Sequence, residues 1–407
     1  MTHCRFCKQS LIHEFMDLAS APPSNSFLKL EQLDLPEVYL PLKLFVCHEC
    51  FLVQVNEHKA AGEIFNSDYI YFSSYSKSWL DHCQRYVDEV TERFTLSASS
   101  KVVELASNDG YLLQFFKGKG IPVLGIEPTK STAEVAIKKG LPTQIRFFGQ
   151  GCARDLTAEK NEADLIVANN VLAHVPDIND FVRGIKILLK KSGVATAEFP
   201  HLMQMVEQRQ FDTIYHEHFS YFSFTTICRI FREHGLRIFD VEELPTHGGS
   251  LRIYADHGAA HPLEKAVDML ITKERDKGMG QLAFYSGLQE ATNQIKYKFV
   301  TFLIQSRTAG RKVVGYGAAA KGNTILNYCG VKQDLLDFVV DASPHKQGRY
   351  LPGSRIPVVS EASLREARPD FVVILPWNLK SEITHQLAYI REWGGKFVTV
   401  IPQFEIY

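Results

Sequence analysis

The chain has 407 residues, too many for one ordinary hydrophobic core, so two or three domains are expected. Its hydrophobic fraction of 45% and charged fraction of 22% are those of a globular protein, and a formal net charge of -1 argues against nucleic acid as the partner. No run approaches the roughly 18 apolar residues needed to cross a bilayer, and Met1-Thr2-His3-Cys4-Arg5 lacks the apolar stretch of a signal peptide. A cytoplasmic protein with no membrane partner is therefore expected. In that reducing setting its cysteines read as metal ligands or small core residues before disulfides.

Two cysteine pairs open the chain, Cys4-Arg5-Phe6-Cys7 and Cys47-His48-Glu49-Cys50. Two residues between thiolates let a tight turn present both sulfurs to one ion, and two such turns complete a tetrahedral shell. Cys4, Cys7, Cys47 and Cys50 are thus expected to bind a structural zinc ion. A redox role would need only one pair, in a thioredoxin-like setting. The intervening chain, residues 8 to 46, must form a small subdomain. His3 and His48 are competing ligands, and Cys83, Cys152, Cys228 and Cys329 read as packing residues. Tyr69, Tyr71 and Tyr75 read as packing where this unit, residues 1–75, meets the next.

From Lys101 the pattern alternates short apolar runs with amphipathic stretches. Lys101–Gly110 reads as a strand and tight turn, Tyr111–Lys119 as a helix and Val123–Glu127 as a strand. Thr132–Lys139 is a helix stopped by Gly140, and strands follow at Asp164–Ala168 and Gly193–Glu198. Strands separated by helices imply a doubly wound α/β sheet that holds ligands at its carboxyl edge. Glu127, closing the second strand, is placed for ribose hydroxyls. The first turn, Glu104-Leu-Ala-Ser-Asn-Asp-Gly110, has one glycine where a dinucleotide fingerprint has three. Glu104 suits a cationic ligand, such as the ammonium or sulfonium of S-adenosylmethionine. A generic α/β domain with Glu104 as a structural cap is the plainer alternative.

After these blocks a resemblance becomes specific. Glu104–Leu113 and Ala168-Asn-Asn-Val-Leu-Ala-His-Val-Pro-Asp177 resemble the cofactor motifs of the nucleotide-sugar C-methyltransferases of deoxysugar biosynthesis. Phe211-Asp-Thr-Ile-Tyr-His-Glu-His-Phe-Ser220 and Thr246-His-Gly-Gly-Ser-Leu-Arg252 are similar to later blocks of that family, and the likeness spans essentially the whole chain. It implies an N-terminal four-cysteine zinc-binding subdomain (1–75), a central Rossmann-like S-adenosylmethionine-dependent methyltransferase domain (76–258) and a C-terminal helical connector with a Rossmann-like α/β domain (259–407). It also implies cofactor contacts from Glu104, Ala106, Asn108, Asp109, Gly110, Tyr111, Leu112, Glu127, Asn169 and Asn170. The implied reaction is methylation at C3 of a 4-keto-6-deoxyhexose carried on dTDP.

Such chemistry needs a base beside the ketone, a donor for the enolate oxygen, and alignment of carbon with methyl. A neutral imidazole, with a pKa near ~6.5, is matched to the first task. In an extended segment His216 and His218 would share one face and Tyr215 and Glu217 the other; on a helical turn Tyr215 and His218 would share a face. The family places its base at the second histidine, hence His218. Tyr215 or Glu217 would orient substrate, with Tyr215 also able to donate to the oxygen. His174 is a second candidate for holding the enolate, and His216 reads as a locally satisfied histidine. The resemblance also carries Tyr69 over as an active-site tyrosine. His247-Gly-Gly-Ser-Leu-Arg252 reads either as a flexible loop that closes its cation on a substrate or cofactor carboxylate or as a plain turn before a strand at Leu251–Ala255.

Glu264–Gln305 is helical in period. Lys312-Val-Val-Gly-Tyr-Gly-Ala-Ala-Ala-Lys-Gly-Asn323 then gives a strand, a glycine turn and a helix start, and Phe338–Asp341 a strand ending in an acid. Gly315 and Gly317 would let backbone N–H groups face an anion, with Lys321 as added charge. The resemblance puts Gly315, Tyr316, Gly317, Lys321 and Asn323 at the sugar-nucleotide diphosphate; Lys346 and Arg349 are optional contacts. An NAD(P)-dependent oxidoreductase using this loop and a non-catalytic zinc-stapled scaffold are the competing readings. The oligomeric state is left open, a monomer included.

Overall fold

The computed structural model describes residues 2–64, 71–258 and 260–407. Three β-sheets organise them. The N-terminal sheet is antiparallel, in the order His13–Ala21, Leu40–Val46, Val53–Val55 and Ser220–Tyr221. Its fourth strand comes from far along the chain: Val53 pairs with Tyr221 and Gln54 with Ser220. Residues immediately after Tyr215-His216-Glu217-His218 are therefore sewn into the metal-binding unit.

The central sheet has seven strands, in the order Arg237–Leu244, Ser250–Asp256, Leu189–Pro200, Ala163–Asn169, Val102–Leu105, Val123–Ile126 and Thr143–Gln144. The last five run parallel, and the first two add an antiparallel hairpin. Val102–Leu105 is buried at every residue, as a strand covered by helices on both faces must be. One cover is the helix Lys77–Arg93, capped by Ser76, whose hydroxyl accepts from Trp79 N. It buries Cys83, Tyr86, Val87 and Val90, spaced to make one apolar stripe against the sheet.

The C-terminal sheet has six strands, in the order Val358–Val359, Val339–Val340, Val313–Tyr316, Phe371–Ile374, Lys396–Thr399 and Glu405–Ile406; all but the last run parallel. The predicted connector is the pair of helices Lys265–Asp276 and Leu288–Thr308. No described helix is long and apolar enough to cross a membrane.

Two cores tie the units together. One joins Phe6, Leu11 and Leu52 to the central strands, and the other joins Phe15 and Leu44 to Phe211, Ile214 and Phe219 and onward to Phe299 and Leu326. The segment holding Tyr215 and His218 thus sits where all three sheets meet. Phe211 is fully buried and meets Tyr328 edge-on at 5.6 Å. Phe211→Ala should cost roughly 3–5 kcal/mol and lower the thermal unfolding midpoint; an unchanged midpoint would show that this junction is not tightly packed.

Candidate active site

The four cysteines converge. Sγ of Cys4 lies 3.5 Å from that of Cys50, Sγ of Cys7 lies 3.4 Å from that of Cys47, and all four fall within 4.8 Å of one another. A tetrahedral zinc–thiolate site, with Zn–S near ~2.3 Å, has sulfur–sulfur edges of about 3.8 Å. The donor set fits zinc, and four protein ligands make the site structural. His3 and His48 are outside this cluster.

At the carboxyl edge of the central sheet, Ala106, Asn108 and Gly110 take positive φ of 54°, 50° and 77°. A Cβ on Gly110 would lie 2.1 Å from Leu141 Cδ1, so glycine is required there by space as well as by backbone. The Glu127 carboxylate accepts from Asn108 N at 2.9 Å and Thr129 N at 2.7 Å. Tyr71–Tyr75 folds over this turn: Ser73 N donates to Asn108 Oδ1 at 3.0 Å, and Ser74 Oγ donates to Asp109 Oδ2. Tyr111 and Leu112 are buried below it.

Glu104 is fully buried, and neither of its carboxylate oxygens has a hydrogen-bond partner among the described residues. Burial, reinforced by Glu127 and Asp109, pushes its carboxyl well above the usual range, with the Tyr111 phenol opposing. Both amide atoms of Asn169, at the end of Ala163–Asn169, are likewise buried without a partner. Asn170, at φ 55°, brings its Nδ2 to 3.3 Å from His247 Nε2. Unpaired buried polar groups are costly. A ligand with a cation for Glu104 and polar edges for Asn169 relieves both, and a diol can add to the bonds that Glu127 already accepts; S-adenosylmethionine has these groups.

Residues 215–218 form a turn, with His218 N donating to Tyr215 O at 2.9 Å. Tyr215 and His218 therefore face each other, Tyr215 Oη 2.6 Å from His218 Nε2 and the ring centroids 3.9 Å apart. His218 Nδ1 lies 2.8 Å from the Thr213 carbonyl. A carbonyl can only accept, so Nδ1 carries the proton and Nε2 is the basic nitrogen, accepting from the phenol. His174 packs edge-on at 4.7 Å, with its Nδ1 donating to Glu217 O at 2.8 Å. Burial lowers His174 to about 4. Burial first, then His174, hold His218 well below an ordinary imidazole.

The neighbours diverge. His216 donates to the Leu40 and Pro41 carbonyls, each at 3.2 Å, which ties the segment to the N-terminal sheet. Glu217 accepts from Asn25 Nδ2 at 2.6 Å, and burial raises its carboxyl to about 7. It lines a cleft of about 270 Å³ that also carries Lys29, Lys59 and Arg349. Tyr69 lies outside the described residues.

The structure moves several expected substrate contacts. Residues 246–248 form a short turn, and Arg252 lies inside the fully buried strand Ser250–Asp256. Its guanidinium bonds Glu198 at 3.2 Å and Glu242 at 3.0 Å, so it braces the sheet from within a strand, not from a mobile loop. In the C-terminal glycine turn, Gly315 N and Gly317 N bond the carbonyls of Phe338 and Val340, and Ala318 N bonds Asp341 Oδ2 at 2.8 Å. These N–H groups are engaged within the fold. Tyr316 Oη accepts from Gln386 at 2.8 Å, and Asn323 Nδ2 donates to the Ser24 carbonyl.

Lys321 instead turns toward the central domain, its Nζ 3.2 Å from the His247 carbonyl. Asp212 and Trp377, whose carboxylate and indole N–H bond at 2.8 Å, were not among the expected site residues. Trp377 follows the strand Phe371–Ile374, and that carboxyl-edge position was the available signal. Gly248 packs against the same indole; a Cβ there would lie 2.4 Å from Trp377 Cη2.

Comparison with known proteins agrees with this architecture. Family profiles match residues 4–65 ("Putative zinc binding domain"), 79–241 ("Methyltransferase domain") and 245–402 ("C-methyltransferase C-terminal domain"). The C-methyltransferase NovU of Streptomyces niveus is 32% identical over 401 residues, covering 98% of this chain and 95% of the relative. The chain belongs to the C-methyltransferase family. A ubiquinone biosynthesis O-methyltransferase of Pelagibacter ubique is 25% identical over 117 residues, 27% of this chain and 49% of its own. A solved S-adenosylmethionine-dependent methyltransferase from Clostridium acetobutylicum covers 44% of this chain and 92% of its own, at 12% identity and a TM-score of 0.36.

This C-methyltransferase depends on S-adenosylmethionine, and its buried acid gives a direct test of the cofactor site. S-adenosylhomocysteine should raise the thermal midpoint of the protein, and Glu104→Gln should remove most of that rise. A full rise in the variant would take Glu104 out of the cofactor pocket.

Proposed function

We propose that the enzyme methylates C3 of a 4-keto-6-deoxy sugar linked to dTDP, with His218 as the base. The observation that carries this reading is the fixed tautomer of His218, its basic Nε2 facing the Tyr215 hydroxyl beside His174. The cleft at Glu217 supports a nucleotide-linked substrate, because Lys29, Lys59 and Arg349 supply cations for a diphosphate. The proposed division at 1–75, 76–258 and 259–407 gives each unit a share: a metal clamp, a cofactor sheet, and a wall closing the catalytic turn.

Bound S-adenosylmethionine supplies a methyl group made electrophilic by its sulfonium. His218 Nε2 receives the proton from C3, and the electron pair left behind spreads onto the neighbouring ketone oxygen. Tyr215, released from Nε2, donates to that oxygen, and His174 is its companion in the turn. Glu217, with a carboxyl near 7, is protonated in part at neutral pH and orients a sugar hydroxyl from the Asn25 side. The competing oxidoreductase reading has no such support: Asp341, where a dinucleotide ribose would be held, bonds Ala318 N and lies 3.5 Å from Lys346 Nζ.

Two outcomes test the reading. Incubation with a panel of dTDP-4-keto sugars should add the mass of one methyl, and His218→Asn should lose roughly 10²-fold or more in turnover while keeping its response to S-adenosylhomocysteine. Near-normal turnover in the variant excludes His218 as the base. Because burial depresses the His218 pKa, the base is already unprotonated at neutral pH. The acid limb of kcat/KM should therefore lie below the ordinary imidazole value of 6.5, and a limb above it would contradict the buried, neutral imidazole.

A further inference from the structure

Lys321 is the group that this mechanism leaves unused, and its position is specific. It lies in the first turn of the helix Ala320–Cys329, which belongs to the C-terminal domain yet is docked on the catalytic segment of the central one. Thr324 Oγ1, from the same helix, donates to the Ile214 carbonyl at 2.8 Å, one residue before Tyr215. Lys321 Nζ bonds the His247 carbonyl at 3.2 Å and lies 5.4 Å from the centre of the Trp377 ring. The Trp377 indole in turn donates to Asp212 Oδ2, whereas Asp212 Oδ1 is buried with no hydrogen-bond partner among the described residues.

The two ends of this arrangement are the base and the cofactor sheet. His218 is near enough to feel the Lys321 charge, and His247, whose carbonyl Lys321 holds, brings its ring to Asn170 at the carboxyl edge of the central sheet. A carbon that loses a proton to His218 and then meets a methyl held by the sheet must lie between these ends. Tyr215, His174, His247, Lys321 and Trp377 each keep partial solvent exposure, so none of them is sealed in the core.

The geometry points to Lys321 as a catalytic residue: its ammonium faces the ketone oxygen of the substrate and stabilises the charge that gathers there, with Asp212 as its counter-ion. This rests on the proton-abstraction reading above. The C3–H bond breaks, its proton goes to His218 Nε2, and its electron pair forms the C3–C4 double bond as the carbonyl π pair moves to oxygen. Burial lowers the Lys321 pKa and the Asp212 carboxylate opposes that shift; as the ammonium it keeps all its protons and offers a hydrogen bond and positive charge to that oxygen. Such preorganised charge is the largest single source of rate enhancement in many enzymes. The assignment also moves Lys321 away from the diphosphate, where the sequence had put it.

The charged and titratable groups around it are Asp212, His218 and His247, with His174 behind His218. Removing the ammonium should therefore raise the His218 pKa and move the acid limb of kcat/KM to higher pH. Lys321→Met should lower kcat by roughly a hundredfold or more, with KM for the sugar nucleotide and the midpoint rise with S-adenosylhomocysteine little changed. It should equally slow exchange of the C3 hydrogen for solvent deuterium when S-adenosylhomocysteine replaces the methyl donor. Lys321→Arg should recover part of the rate and the acid limb, and Lys321→Gln gives the same reading if the methionine variant does not fold. A normal kcat, or a loss confined to KM, overturns the proposal while leaving His218 in place. A wild-type enzyme that neither exchanges nor methylates any 4-keto sugar overturns the substrate reading and this one with it.

Discussion

The contact between His218 Nδ1 and the Thr213 carbonyl decides what the rest of the site can do. It puts the imidazole proton on the far nitrogen and leaves the near one basic, in surroundings too dry to favour a second proton. The contact survives because the segment is pinned at both ends. Upstream, Phe211 and Ile214 are locked into the core shared with the C-terminal sheet; downstream, Ser220 and Tyr221 become the last strand of the N-terminal sheet. His216, bonded to Leu40 and Pro41, adds a third fastening. On a free loop the imidazole would sample both of its neutral tautomers and several rotamers; held this way it has one of each.

The same reasoning gives the zinc unit a task beyond its own stability. Its cysteines share a core with the central strands, and its third strand receives Tyr221. An ion held by these four cysteines would thereby brace the frame on which His218, the proposed base, is hung. The C-terminal domain has a comparable relation to the site, reaching it through Thr324, Lys321 and Trp377. The proposed catalytic groups and their supports draw on all three sheets, whereas the proposed cofactor pocket is built by one sheet and the segment folded over its first turn.

Much of this was legible in the chain itself, for local reasons. Paired cysteines two residues apart announce a tetrahedral site, and short apolar runs between amphipathic stretches announce a parallel sheet. The alternative in which Tyr215 and His218 share one side required only the spacing of a turn. What escaped was long-range. Lys321 looked like a phosphate ligand because a glycine turn precedes it, yet Gly315, Gly317 and Ala318 have their N–H groups bonded inside the domain. Arg252 looked like the end of a mobile loop because Gly248 and Gly249 precede it, but every residue of Ser250–Asp256 is buried, a property of the neighbouring strands and not of the sequence. A two-residue strand such as Ser220–Tyr221 leaves no periodicity to read.

Gly248 shows how little separates the two halves of the site. With only hydrogen on its α-carbon it lets the Trp377 indole lie flush against the turn that carries His247, and Trp377 reaches Asp212 from there. Lys321 Nζ, bonded to the His247 carbonyl and 5.4 Å from the same ring, shares this close contact. A side chain at position 248 would meet both the indole and Gln210 Nε2, and would push the turn carrying His247 away from Trp377.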